Sequence, residues 1–386
     1  MIAIIADDFT GAAELSGLGL RYGLKVEIDT IVPKTSDVDL LVISTDTRLV
    51  TSEEAFKRVH KAVESLNDLG VKWFFKKIDS LMRGQISNEI SALLSASGKN
   101  KVLCIPANPT LGRTIKDGTY FVKGKELLQT NLSKIPGFDY STSNVMDFLM
   151  PSVGLGKCYI KKGDEIIPDS ICVGEVSSFD DVLYWAAKVN DSLIPVGAAD
   201  FFTALLNLNG YKIKNSVEQP KLELGEKILF VFGSAYIKSR NFIAEAREHG
   251  CCISEIPAEL FDTNEDSEKY IKQWADDIID SIKTYSRVIV AINRPYVRLD
   301  SFSHQLRNYQ ATAVQKALQV VSINELIIEG GATVSSVLNK VGIKEMIPLQ
   351  ELSHGVVRMK VKDKPDLHLT IKPGSYKWPD NIWDSK

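Results

Sequence analysis

The chain has little from which to build a metal or disulfide site. Its five cysteines (Cys104, Cys158, Cys172, Cys251 and Cys252) form no CxxC pair and are odd in number, so neither a zinc site nor a disulfide framework is indicated. Cys104, inside KVLCIPA, reads as a buried strand thiol. The five histidines are scattered without ligand spacing, and no metal ligand can be named. The formal charge is only −3, which lacks the basic footprint of a nucleic-acid binder. No apolar run approaches the roughly 20 residues of a membrane span. IAIIA is followed at once by two aspartates, too soon for a secretory leader. Also missing are a GxxxxGK[ST] phosphate loop and a GxGxxG turn opening a βαβ unit, so any nucleotide is held by another arrangement. The expectation is a cytoplasmic, thiol-reduced protein with no nucleic-acid or membrane partner. Self-association as a homo-oligomer stays open.

At 386 residues the chain is long for one core, and 44% apolar with 25% charged residues is a globular composition. Short β-branched runs alternate with amphipathic stretches. IAIIA precedes a helical segment from about Gly11 to Tyr22, and VDLLVIST precedes TSEEAFKRVHKAVESLNDLG. In the latter, Ala55, Phe56, Val59, Ala62, Val63 and Leu66 share one helical face, and Thr51 with Glu54 forms a capping-box pattern. VKWFFKKID, a helix carrying Ile86, Ile90, Leu93 and Leu94, and KVLCIPA follow. Periodicity is lost around 207–226, then resumes with the strands KILFVFGS, RVIVAINR, ELIIEGG and LHLTIKPGS. The predicted fold is α/β: two α/β domains with largely parallel sheets and an active-site cleft between them. The expected division is a domain over 1–208, a linker over 209–225 and a second domain over 226–386.

Polar residues recur where strands end. Asp7 and Asp8 follow IAIIA, Asp46 and Arg48 follow LLVIST, Lys76, Lys77 and Asp79 follow WFF, and Asn108 and Arg113 follow VLCIPA. In an open parallel sheet the carboxyl ends of the strands share one edge, where ligands bind, so these four segments are expected to converge. The densest of them, KKIDSLMRGQ, places Lys76, Lys77, Asp79 and Arg83 directly after an apolar run. Charges cannot be buried there without partners. The second half ends its strands differently, in the small-residue loops GSAY, EGGAT and KPGSY. Glycine allows backbone N–H groups to approach an anion, and a helix start after GGAT adds its dipole. Carboxylates and cations on one side and phosphate-suited loops on the other describe a small-molecule kinase, driven mainly by positioning and charge neutralisation.

The motifs IIADDFTGAAE, KKIDSLMRGQ, PANPTLGRTIKDG, IEGGAT and TIKPGSY, in this order from Ile4 to about Tyr376, resemble those of the four-carbon acid sugar kinases. That family phosphorylates threonate, erythronate and 3-oxo-tetronate with ATP. The resemblance implies a sugar acid held by the N-terminal domain, through Asp8, Arg48 and the Lys76–Asp79 stretch. It implies ATP held by the C-terminal domain, through Ser234, Gly330, Gly331, Ala332, Thr333 and Gly374. The chain departs from the family's pattern at Glu14, where Asp is frequent, at Asn108, where an aromatic is common, and in GGAT, where an acidic third residue is frequent.

Arg48 and Arg83 are natural partners for a substrate carboxylate, since a guanidinium grips it with two parallel hydrogen bonds. Lys76 or Lys77 would neutralise charge on the moving phosphoryl, and alternation along a strand lets at most one of them face the ligand. Asp79 or Asp8 would accept the hydroxyl proton, with Asp79 preferred as base and Asp8 orienting the hydroxyl. Mg²⁺ is expected with ATP, held by phosphates and water. A sugar-acid sensor without turnover would keep the cations but have no need for GGAT and KPGSY. An NAD(P)-dependent dehydrogenase would require the missing dinucleotide turn.

Overall fold

In a computed structural model, residues 1–135, 138–150, 154–214, 222–233, 237–261, 266–292, 302–374, 376–379 and 382 are described. The chain separates into one unit over Met1–Asn215 and another over Ser216–Lys386. The first begins with β1 (Ile2–Ala6), β2 (Val26–Asp29), β3 (Leu40–Ser44), β4 (Trp73–Lys77) and β5 (Lys101–Ile105). The short strands β6 (Arg113–Lys116), β7 (Thr119–Val122), β8 (Lys125–Glu126), β9 (Lys134–Ile135) and β10 (Phe138–Asp139) interrupt the alternation. Then β11 (Gly156–Ile160), β12 (Ser170–Gly174) and β13 (Leu193–Gly197) return to the main sheet.

The eight main strands lie in the order β11-β12-β5-β13-β4-β1-β3-β2, and every neighbouring pair is parallel. Their carboxyl ends therefore share one edge. Helices α1 (Phe9–Arg21), α2 (Ser52–Asp68), α3 (Ile86–Ser97), α4 (Phe179–Ala186) and α5 (Ala199–Leu208) cover the sheet. Strands buried on both faces explain the near-continuous apolar runs, such as IAIIA with four of five residues buried and LLVIS with all five. α1 begins two residues earlier than its apolar pattern suggested, because Asp8 caps it by accepting a hydrogen bond from the Gly11 N–H at 2.8 Å. Thr51 caps α2 through the Glu54 N–H. The reciprocal half of that box is diverted, since Glu54 pairs with Arg58 at 2.7 Å.

The second unit contains β14 (Ile228–Phe232), α6 (Ile237–Glu248), β15 (Cys252–Glu255), α7 (Ser267–Thr284), β16 (Arg287–Ala291), α8 (Ser303–Leu318), β17 (Glu325–Glu329) and α9 (Gly331–Val341). The strands β18 (Glu345–Ser353), β19 (Val356–Val361) and β20 (Lys364–Lys372) follow. Its strand order is β18-β19-β20-β17-β14-β16-β15. The five strands from β20 to β15 are parallel, whereas β18, β19 and β20 form an antiparallel meander that the sequence did not announce. Among the described residues, no helix is long and apolar enough to cross a membrane.

Candidate active site

Lys76 and Lys77 end β4 and, as strand neighbours must, point to opposite faces. Lys76 is fully enclosed. Its ammonium pairs with Glu89 of α3 at 2.8 Å and donates to the Lys77 carbonyl at 3.1 Å. Grouped with the ligand-facing cations in the sequence, Lys76 instead reaches no surface, because Glu89, itself fully buried, holds it under α3. Lys77 turns towards α1, where it pairs with Glu14 at 3.1 Å and donates to the Ile78 carbonyl at 3.1 Å. It lies beside Gly11, the N–H donor in the Asp8 cap, where an added Cβ would stand 3.3 Å from the ammonium. Of the two lysines, only Lys77 stands at the α1 start with Asp8.

The exits of β1, β3 and β4 do converge. Arg48 donates from Nε and Nη2 to the two oxygens of Asp7, at 2.7 and 3.0 Å, and from Nη1 to Asp8 at 2.7 Å. The same Asp8 oxygen accepts the Thr10 hydroxyl at 2.5 Å. Asp79 is gripped by Arg83 from Nε and from Nη2, the latter at 3.1 Å. Burial would raise the Asp79 carboxyl, but Arg83, Arg48 and Arg113 outweigh it and hold the group well below the usual carboxylate range. This counts against the sequence preference for Asp79 as base. A carboxylate so strongly stabilised by guanidinium groups is a poor proton acceptor.

The turn after Asp79 is tied to the short-strand region. Arg113 donates to the Ser80 hydroxyl, Tyr120 to the Ser80 carbonyl at 2.6 Å and Tyr140 to the Leu81 carbonyl at 2.7 Å. Burial raises both tyrosine hydroxyls, keeping them protonated as donors.

In the second unit, α9 starts at Gly331 behind Gly330, whose φ of 91° suits glycine. Among the described residues no side chain caps α9, so the N–H groups of Gly331, Ala332 and Thr333 form an open first turn. Gly233, the residue after β14, lies against it: a Cβ there would lie 2.2 Å from the Thr333 hydroxyl and 3.2 Å from Gln310 Oε1. Gln310 of α8 donates to the Phe232 and Val290 carbonyls at 3.0 and 3.1 Å, joining the ends of β14 and β16. Lys372 closes β20 opposite Glu329 of β17, with 2.9 Å between their charged groups. It also donates to the Pro373 and Tyr376 carbonyls at 2.9 and 2.8 Å. Among the described residues, nothing lies within 4 Å of where a Gly374 side chain would be. Ser234 lies outside the described residues.

Comparison with known proteins decides what this pairing of units is. Residues 2–165 match the family described as "Sugar-binding N-terminal domain", and residues 229–376 match "Nucleotide-binding C-terminal domain". A 3-oxo-tetronate kinase of Haemophilus influenzae is 26% identical, with 97% of each chain covered. The chain belongs to the four-carbon acid sugar kinase family. A D-erythronate kinase of Heliobacterium modesticaldum is 26% identical over 73% of this four-carbon acid sugar kinase family member and 68% of the relative. A D-threonate kinase of Bordetella bronchiseptica is 28% identical over 38% of each. A solved Haemophilus influenzae structure, 22% identical, covers 98% of this family member and 97% of the relative with a TM-score of 0.70, which supports the fold.

In this family member it is the pairings that escape motif reading. Asp7, Glu14, Glu329 and Lys372 lie within the motifs and Glu89 outside them, and their ion pairs join distant parts of the chain. A strand-end position is a signal for Asp7 and Lys372. Nothing in the local sequence marks Glu89 as the partner of Lys76.

Proposed function

We propose that this chain is an ATP-dependent kinase that transfers the γ-phosphoryl group to a hydroxyl of a four-carbon sugar acid: threonate, erythronate or 3-oxo-tetronate. Residues 1–208 hold the sugar acid, 209–225 link, and 226–386 hold the nucleotide. The open, glycine-led first turn of α9 carries this reading. Three N–H groups without a side-chain cap, beside the close approach of Gly233, suit a phosphate. A sensor of sugar acids would have no use for such a turn.

Gly330, Gly331, Ala332 and Thr333 bind nucleotide phosphate, with Gly374 and Ser234 completing the contacts. Mg²⁺ enters with ATP, carried by phosphate oxygens and water, and supplies charge neutralisation. Glu329 is not counted as its ligand, because Lys372, Ser239 and Trp378 already engage that carboxylate.

On the sugar-acid side, Asp8 orients the acceptor hydroxyl and takes its proton. Lys77 places positive charge next to it, at the start of α1. Arg48 holds Asp7 and Asp8 in register, and the Asp79–Arg83 pair shapes the wall of the site. The free thiols of all five cysteines fit a reducing, cytoplasmic setting. The test is release of ADP from Mg-ATP in the presence of a panel of four-carbon acids. Release above the acid-free background with at least one of them supports the kinase; none across the panel overturns it.

A further inference from the structure

Three arginines stand around the exits of β3, β4 and β5: Arg48, Arg83 and Arg113. A guanidinium recognises a carboxylate best along one edge, with two parallel N–H···O bonds. Arg48 has spent its Nε–Nη2 edge on Asp7, and its Nη1 on Asp8. Arg83 has spent the same edge on Asp79, with its guanidinium 5.8 Å from the Phe138 ring centroid. Arg113 differs. Its side chain makes one hydrogen bond, from Nη1 to the Ser80 hydroxyl, a neutral group. Among the described residues no carboxylate pairs with it, and it is only partly buried.

The backbone beneath Arg113 is held firmly. Asn108 and Arg113 exchange hydrogen bonds, N–H to carbonyl, at 2.9 and 3.1 Å, closing the six-residue loop on itself. Thr110 within that loop donates from its N–H and its hydroxyl to Asp200, at 2.9 and 2.7 Å. Asn108 in turn accepts from the Asp200 N–H at 3.1 Å. A fixed arginine with an uncommitted edge, close enough to depress the Asp79 carboxyl, is arranged to bind an anion from outside.

We propose that Arg113 grips the carboxylate of the acid substrate and so selects acids over uncharged four-carbon polyols. This rests on the kinase reading above, and moves the grip from Arg48 and Arg83, whose forks are occupied. Ser80 orients the guanidinium and leaves Nε and Nη2 for the ligand.

The experiment compares wild type, Arg113→Gln, Arg113→Lys and Ser80→Ala on the acid and on its uncharged amide. A charge-assisted hydrogen bond is worth about 1.5–3 kcal/mol, or roughly a 10- to 150-fold change in binding. Arg113→Gln should raise KM for the acid by that factor, with kcat at saturation reduced far less. Its preference for acid over amide should shrink by a similar factor. Arg113→Lys, which keeps charge but loses the fork, should fall between, and Ser80→Ala should show a milder rise in KM. Equal losses on acid and amide would overturn the proposal and make Arg113 a support for the Ser80 turn. Unchanged KM for the acid would overturn it as well. Direct titration of the acid by calorimetry separates this question from the kinase reading. A wild type that binds the acid without turnover, and loses that binding in Arg113→Gln, would keep the grip while the kinase falls. A wild type that neither binds nor turns over any acid of the panel would end both.

Discussion

Lys76 and Lys77 are adjacent in the chain, yet each has its own buried carboxylate on a different helix, Glu89 of α3 at 2.8 Å and Glu14 of α1 at 3.1 Å. The Lys76 pair is wholly enclosed, the Lys77 pair nearly so. Removing one partner of an enclosed pair leaves a bare charge in a low-dielectric core, at a cost of about 3–5 kcal/mol. Replacing both with apolar groups of similar volume is often close to neutral. Lys76→Met should therefore lower the urea midpoint strongly, and Lys76→Met with Glu89→Leu should recover most of it. Lys77→Met should instead lose kcat out of proportion to its stability, since that ammonium stands beside Asp8. A double mutant no more stable than Lys76→Met alone would refute the assignment of Lys76 to the core.

The contrast between Asp79 and Asp8 predicts a division of effects. If Asp8 takes the hydroxyl proton, Asp8→Asn should lower kcat by roughly 10²–10⁴, the range for general-base catalysis, with the acid still bound. Asp79→Asn should chiefly lower stability, leaving Arg83 without its carboxylate. The reverse pattern, with kcat collapsing only in Asp79→Asn, would return the base role to Asp79.

The same pair makes stability depend on pH in a defined direction. The folded carboxyl of Asp79 titrates well below the unfolded one, because the arginines outweigh its burial. Its contribution is therefore complete above the unfolded value of about 3.9 and is lost as pH falls below it towards the folded pKa. The stability gap between wild type and Asp79→Asn should be constant from about pH 6 to 7 on denaturant titration, and should narrow below about pH 4. A gap that holds its size down to about pH 2.5 would show that this carboxyl is not depressed by folding.

The strand exits were legible because apolar β-branched runs end abruptly at charged residues, and a parallel sheet gathers those exits on one edge. The alternation of Lys76 and Lys77 was legible for the same geometric reason. Their partners were not. Glu14 and Glu89 sit inside helices whose apolar periodicity gives no hint of a buried carboxylate, and the pairing exists only once the chain has folded. β2 escaped because VEID is short and carries two acids, although all four residues are buried. The β18–β19 hairpin escaped because EMIPLQELS contains a proline and two register shifts, which blur a period of two. The depression of the Asp79 carboxyl was legible only in part: Arg83, which contributes most to it, lies four residues on in the same motif, whereas Arg48 and Arg113 are brought beside it only by the fold.

The nucleotide side yields the last prediction. Thr333, the third residue of α9, is buried with its hydroxyl where a Gly233 side chain would be. Adding one methyl in Gly233→Ala forces Thr333 to move, because a Cβ 2.2 Å from its oxygen is far inside contact distance. That movement carries the first turn of α9 with it, and so the N–H groups assigned to phosphate. Gly331→Val acts at the turn itself, placing a branched side chain where backbone should approach the anion. Both variants should raise the KM for ATP by about tenfold or more, the loss of roughly 1.4 kcal/mol of binding, with little change in KM for the sugar acid. Thr333→Ala combined with Gly233→Ala removes the clash and should recover part of the affinity. Nucleotide titration that finds wild-type affinity in both Gly233→Ala and Gly331→Val would remove the phosphate from α9. The recovery in the double variant distinguishes a local clash from a general loss of fold, which no second truncation at Thr333 could repair.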